Sequence, residues 1–143
     1  MVMNHGILLL QKIHQWVNQG DVEALKSLIQ EFGYDQKNED IKVVYRWVAN
    51  STNSIMWLDQ EEYNPRRRFE SWSKNAASIS GEDFKKGELI YCLRYKPYKD
   101  EVVLDFEKLE QYGNFMFATE QEVIIEYETM PIQVEIIKQV TYR

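Results

Sequence analysis

The sequence predicts an α+β domain, with helices first and a mostly antiparallel sheet after them. Two observations carry this: apolar residues recur at three-and-four spacing through the first third of the chain, then alternate two by two after Gly87. A third narrows it, because the six glycines are scattered singly. No glycine-rich phosphate loop follows a strand, so the doubly wound nucleotide-binding folds are excluded. At 143 residues the chain is of a size for one hydrophobic core, read here as a helical portion over 1–40 and a β-rich core over 41–143.

The first helix is expected from Ile7 to Asn18, where Leu9, Leu10, Ile13, Trp16 and Val17 share a face and Gly20 ends the pattern. Asp21 suits the cap of a second helix, with Glu23 in its first turn. Val22, Leu25, Leu28, Ile29 and Phe32 form its apolar face, and Gly33 is placed to close it. The pair reads as a helical hairpin. A polar loop, Tyr34 to Asp40, leads to Ile41–Ala49, whose β-branched and aromatic residues favour a strand. Asn50 to Asn53 suits a turn and Ile55 to Leu58 a short return strand. Asn64-Pro65 has the form of a helix cap and first turn, which would put Phe69, Trp72 and Ala76 on one helical face. The run Arg66-Arg67-Arg68 would then lie on a solvated first turn, or hold an acidic surface or a phosphate. Strands follow over Leu89–Tyr95, Val102–Phe106, Phe115–Ala118, Val123–Tyr127 and Ile132–Tyr142.

Composition limits function. Seventeen Lys plus Arg against 23 Asp plus Glu give a net charge of -6, the wrong sign for holding nucleic acid as a primary partner. The single cysteine, Cys92, allows neither an internal disulfide nor a cysteine-built zinc site, and His5 and His14 are not at metal-ligand spacing. The opening Met1–Gly6 lacks a basic leader region and its apolar run is short, so a cytoplasmic protein without membrane attachment is expected.

Three motifs stand in order: an arginine in the first expected strand, Val44-Tyr45-Arg46-Trp47; paired serines, Phe69-Glu70-Ser71-Trp72-Ser73; and Thr119-Glu120-Gln121-Glu122 ahead of Val123-Ile124-Ile125. On these residues the chain resembles the arginine-serine-glutamate class of mono-ADP-ribosyltransferases, most closely the small phage and bacterial arginine-modifying members, from about Lys42 onward. The resemblance implies two packed sheets with an NAD cleft. It implies an enzyme that moves ADP-ribose from NAD, as co-substrate and without a metal, to a protein acceptor, with Glu-x-Glu favouring arginine.

The roles it implies suit the residue types. Breaking the nicotinamide–ribose bond develops oxocarbenium-like charge, which the carboxylate of Glu122 would stabilise. Glu120 would contact the acceptor and take its proton. Arg46 would grip the NAD phosphates with a planar, permanently charged fork. Ser71 would position Glu122 and the ribose, with Ser73 supporting the strand around them. Tyr112, Phe115 and Phe117 would lie in the acceptor-recognition loop or pack in the core. The competing expectation is a small acidic inhibitor of the immunity-protein type, covering a basic toxin or nuclease with its four tryptophans, nine tyrosines and negative charge.

Overall fold

The computed structural model describes residues 5–33, 36–49, 55–57, 60–77, 84–112 and 121–143. Helix α1 (His5–Gln19) buries Leu9 and Ile13 on the predicted face. It ends at Gly20, whose φ of 63° permits the left-handed cap, and the Gly20 N–H returns to the Trp16 carbonyl at 2.9 Å. Asp21 caps α2 (Val22–Leu28) by accepting from the N–H groups of Glu23 and Ala24. The helix widens into a π-helical turn over Ile29–Gly33. Val22 departs from the expected face and is exposed, while Leu25, Leu28, Ile29 and Phe32 are buried.

The strands are β1 (Val44–Ala49), β2 (Ile55–Trp57), β3 (Glu62–Asn64), β4 (Phe69–Ser73), β5 (Leu89–Tyr95), β6 (Val102–Asp105), β7 (Glu122–Glu126), β8 (Ile132–Gln133) and β9 (Glu135–Thr141). Six form one sheet in the order β6-β7-β4-β1-β5-β9, and three form a smaller sheet, β2-β3-β8. Every pairing among the described residues is antiparallel. A 3₁₀ helix, Phe106–Tyr112, follows β6.

Alternation along the strands sends side chains into separate cores on the two faces of the large sheet. Val44, Val48, Trp72, Leu93, Val123 and Ile125 share one core with Tyr63 and Ile132 of the small sheet, which therefore closes that face. On the other face, Leu104 and Ile124 meet Leu9, Ile13, Leu25, Leu28 and Phe32 of the helical layer. Each such fully buried leucine contributes about 2 kcal/mol through apolar burial. Trp47, Ala49, Ile90 and Cys92 form a third cluster on this second face, at the β1–β5 end.

Both outer strands of the sheet have local devices. On β6, the amide of Gln36 accepts from the Asp105 N–H at 2.8 Å and donates to the Asp105 carbonyl at 3.1 Å, and Asn38 Nδ2 donates to the Val102 carbonyl. On β9, Leu93 opposes Ile136 and Cys92 opposes Lys138, so Ile137 is the extra residue of a bulge.

Three sequence expectations are corrected. The segment after Asn64-Pro65 is a bend over 66–68 followed by strand β4, not a helix. The cap signature yields to tertiary context: β4 pairs with β7 at five positions, and burying Trp72 on one face and Phe69 toward the other requires period two. Trp72 and Ala76 accordingly pack in different clusters. The Ile55–Trp57 strand pairs with β3, in the small sheet. The expected Ile132–Tyr142 strand is divided between the sheets, because the Val134 N–H is taken by the Glu61 carbonyl and the Ile136 N–H by the Glu61 carboxylate. The expected Phe115–Ala118 strand lies outside the described residues.

Gly33 fixes how the helical layer meets the sheet, since a Cβ there would lie 2.2 Å from the Val103 carbonyl oxygen. Backbone cannot yield cheaply, so Gly33→Ala is expected to destabilise the protein by about 2 to 3 kcal/mol, read as a lower urea midpoint. An unchanged midpoint would show that the hairpin does not seat on β6 at this distance.

Candidate functional site

The site begins where the large sheet parts. β4 pairs with β7 along its length, from Phe69 opposite Glu126 to Ser73 opposite Glu122, whereas β1 and β4 meet at a single position, Tyr45 opposite Ser73. Period two then puts Ser71, Ser73 and Glu122 on one face of the sheet, with Phe69 beyond them against the helical layer. The Ser71 hydroxyl donates to Glu122 Oε1 across the β4–β7 pair. Ser73 is buried and its hydroxyl accepts the Asn75 N–H at 3.0 Å, which turns the chain as it leaves β4.

Glu122 is aimed by its backbone as well as by Ser71. Gln121, just before it, has a φ of 55°, a left-handed conformation that a side-chain-bearing residue adopts at a cost of about 1 to 2 kcal/mol. The kink is held by the Lys74 N–H, which donates to the Gln121 carbonyl at 2.9 Å. The Lys74 ammonium is itself fixed 3.0 Å from Asp105, a fully buried carboxylate, and 3.4 Å from Glu107. Asp105 also accepts the Glu107 N–H at 3.0 Å. Nearby, Lys108 donates to Asp40 at 2.7 Å and this hydrogen bond holds the Asp40 carboxyl below its ordinary value.

Arg46 reaches the same place from the other face. Its Nη1 donates to the Ser71 carbonyl at 2.7 Å, at a point on β4 where pairing with β1 has lapsed, and its Nη2 lies 3.5 Å from Glu70 Oε2. The other Glu70 oxygen accepts from the hydroxyls of Tyr63 and Tyr127, each at 2.7 Å. Trp72 Nε1 donates to the Tyr127 oxygen at 2.7 Å. Burial raises the phenol pKa of Tyr63 and of Tyr127 above the ordinary value; neighbouring Glu70 raises both further and Arg46 lowers both. These hydroxyls therefore remain donors to Glu70 well into alkaline solution.

Arg46, Ser71 and Glu122 are thus joined by two hydrogen bonds with Ser71 in the middle, its carbonyl on Arg46 and its hydroxyl on Glu122. Arg46, expected to grip the NAD phosphates, has a side chain 14% exposed, with Nη1 on the Ser71 carbonyl and Nη2 toward Glu70. Glu120, Phe115 and Phe117 lie outside the described residues, and Tyr112 ends the 3₁₀ helix. The three arginines 66–68 are exposed, with Arg68 3.7 Å from Glu126.

Sequence reasoning missed Glu70, Tyr63, Tyr127, Lys74 and Asp105. A strand reading of Phe69–Ser73 would have signalled Glu70, because it puts that carboxylate on the same face as Trp72 and facing the core. Among the described residues no group of His, Cys, Asp and Glu could hold a metal ion, and no helix is long and apolar enough to cross a membrane. Comparison with protein-family models, with curated proteins and with solved structures finds no match for this chain.

Tyr95 joins Tyr63 and Tyr127 in having a raised pKa, through burial first and then its hydrogen bond to Glu101. Each of these groups, raised in the fold above its unfolded value of 10.0, adds stability that is complete below pH 10.0 and is lost as pH rises beyond it. In an ultraviolet titration, Tyr63, Tyr95 and Tyr127 should stay protonated past pH 10.0 and ionise only as the protein unfolds. Nine phenols titrating together near pH 10.0 with the fold intact would contradict the buried network.

Proposed function

We propose that this chain is a mono-ADP-ribosyltransferase that moves ADP-ribose from NAD to a protein side chain, arginine by preference. The observation that carries the reading is the Arg46–Ser71–Glu122 chain, which links the three motif residues through one serine at the parting of the sheet. The α+β architecture, with a smaller sheet packed on the larger through Tyr63 and Ile132, supports it as well.

The chemistry assigns the parts. The bond between the nicotinamide nitrogen and ribose C1′ breaks, and neutral nicotinamide departs with the bonding electrons. The ribose is left with oxocarbenium character beside the Glu122 carboxylate. Ser71, by donating to one Glu122 oxygen, fixes the carboxylate in advance, so no reorganisation is needed as charge develops. The acceptor nitrogen then bonds to C1′ and gives its proton to Glu120, the role the motif implies for that residue. Arg46 acts here through the Ser71 backbone.

The deciding experiment measures nicotinamide release from NAD by the purified protein, with and without a cell extract supplying acceptors. Wild type is expected to release nicotinamide. Glu122→Gln, which keeps the shape and an acceptor for Ser71 but removes the charge, should lower the rate about a hundredfold or more. No release from wild type, together with no NAD binding in calorimetry, would overturn the transferase and favour the acidic binding protein.

A further inference from the structure

A guanidinium beside a carboxylate ordinarily closes on it, with bonds near 2.8 Å and often two of them. Arg46 does not. It stands 3.5 Å from Glu70 Oε2 and makes its short bond, 2.7 Å, to the uncharged carbonyl of Ser71. The difference lies in what else Glu70 holds. Its carboxylate is 7% exposed and its other oxygen is shared by two phenol hydroxyls at 2.7 Å, from Tyr63 on β3 and Tyr127 just past β7. These donors orient the carboxylate and take up part of its charge, so that one strong bond of the guanidinium goes to the β4 backbone.

We propose that Tyr63 and Tyr127 are positioning residues, which hold Glu70 so that Arg46 stays on the Ser71 carbonyl and keeps the Ser71 hydroxyl on Glu122. Without a phenol donor, Glu70 turns toward Arg46, the pair closes, and the Ser71 carbonyl loses its partner at the one stretch of β4 that β1 does not support. Ser71 then shifts along the seam and Glu122 loses its fixed donor. Because Tyr63 belongs to the small sheet, this network also ties that sheet to the site on the opposite face. Tyr127 is anchored independently, since its N–H donates to the Arg68 carbonyl at 2.9 Å.

The proposal rests on the transferase reading for its rate measurement alone, and its structural part is tested without NAD. Tyr63→Phe removes a hydroxyl at nearly constant volume, and Tyr127→Phe repeats the removal just past β7, where it also takes the acceptor from Trp72 Nε1. The carboxyl titration of Glu122, followed by carbon NMR, is expected to move upward by about half a pH unit or more in each variant, as the carboxylate loses the Ser71 hydrogen bond. Nicotinamide release should fall about tenfold in kcat with a smaller change in KM for NAD. Ile90→Ala, which loosens the third cluster at the β1–β5 end away from the network, serves as the control and should lower stability while leaving the Glu122 titration in place. A wild-type Glu122 titration in both Phe variants, or an equal shift in Ile90→Ala, would overturn the proposal. A wild type that releases no nicotinamide would defeat the transferase reading, and the titration would still decide this one.

Discussion

One hydrogen bond, from the Arg46 guanidinium to the Ser71 carbonyl, spans the weakest line of the sheet. On one side of that line β6, β7 and β4 are paired, on the other β1, β5 and β9, and the two groups share a single paired position. A carbonyl left beside a parted strand and away from water costs free energy comparable to a lost hydrogen bond. A guanidinium can satisfy it from the next strand over, because its five donors sit on a long stem. The same charge would be costly in a core if it stood alone. It stands instead against Glu70, whose own remaining oxygen is satisfied by two phenols. The parted sheet, the buried ion pair and the serine that aims Glu122 are consequences of one another.

Among the described residues the interior holds two more carboxylates, and each is satisfied in its own way. Glu101 is fully buried with no cation against it among the described residues; it accepts from the Tyr95 hydroxyl and from the N–H groups of Tyr98 and Glu128. It therefore binds the β5–β6 turn to the chain leaving β7, and the Glu126 N–H on its carbonyl adds to that union. Asp105 uses Lys74 and the start of the 3₁₀ helix. Glu101 serves loop closure, Asp105 steadies the turn before Glu122, and Glu70 serves the seam. Charge in this core is placed where strands end or separate, positions that apolar packing alone does not define.

The helical hairpin was legible because its signals are local: Gly20 for the left-handed cap, Asp21 for the N-cap and a three-and-four face ending at Gly33. Strands β1 and β5 were legible for the same kind of reason, alternation dense in β-branched and aromatic residues. β4 was not. Five residues carry two serines and a glutamate, and Asn64-Pro65 upstream imitates a helix start. Only the pairing with β7, from Ser73 opposite Glu122 to Phe69 opposite Glu126 far along the chain, makes it a strand. That misreading hid the partner of Arg46, since Glu70 belongs to the core only when the segment has period two. Ser71 and Glu122 came together as the motifs imply, whereas the inward turn of Arg46 depended on a parted pair of strands that no local pattern encodes.

The outermost strand on the Glu122 side has a further consequence. An edge strand offers its free N–H and C=O groups to any extended chain that comes near. On β6 the Asp105 N–H and C=O are taken by one primary amide, Gln36, and the Val102 C=O by another, Asn38. Two side chains from a polar loop thus imitate a neighbouring peptide without supplying a strand that could itself be extended. The half of the sheet that carries Ser71 and Glu122 is capped chemically at these three groups, and a passing polypeptide finds fewer free partners there on which to lengthen it. A protein that meets other polypeptides with this half of its sheet can touch them without being annealed to them.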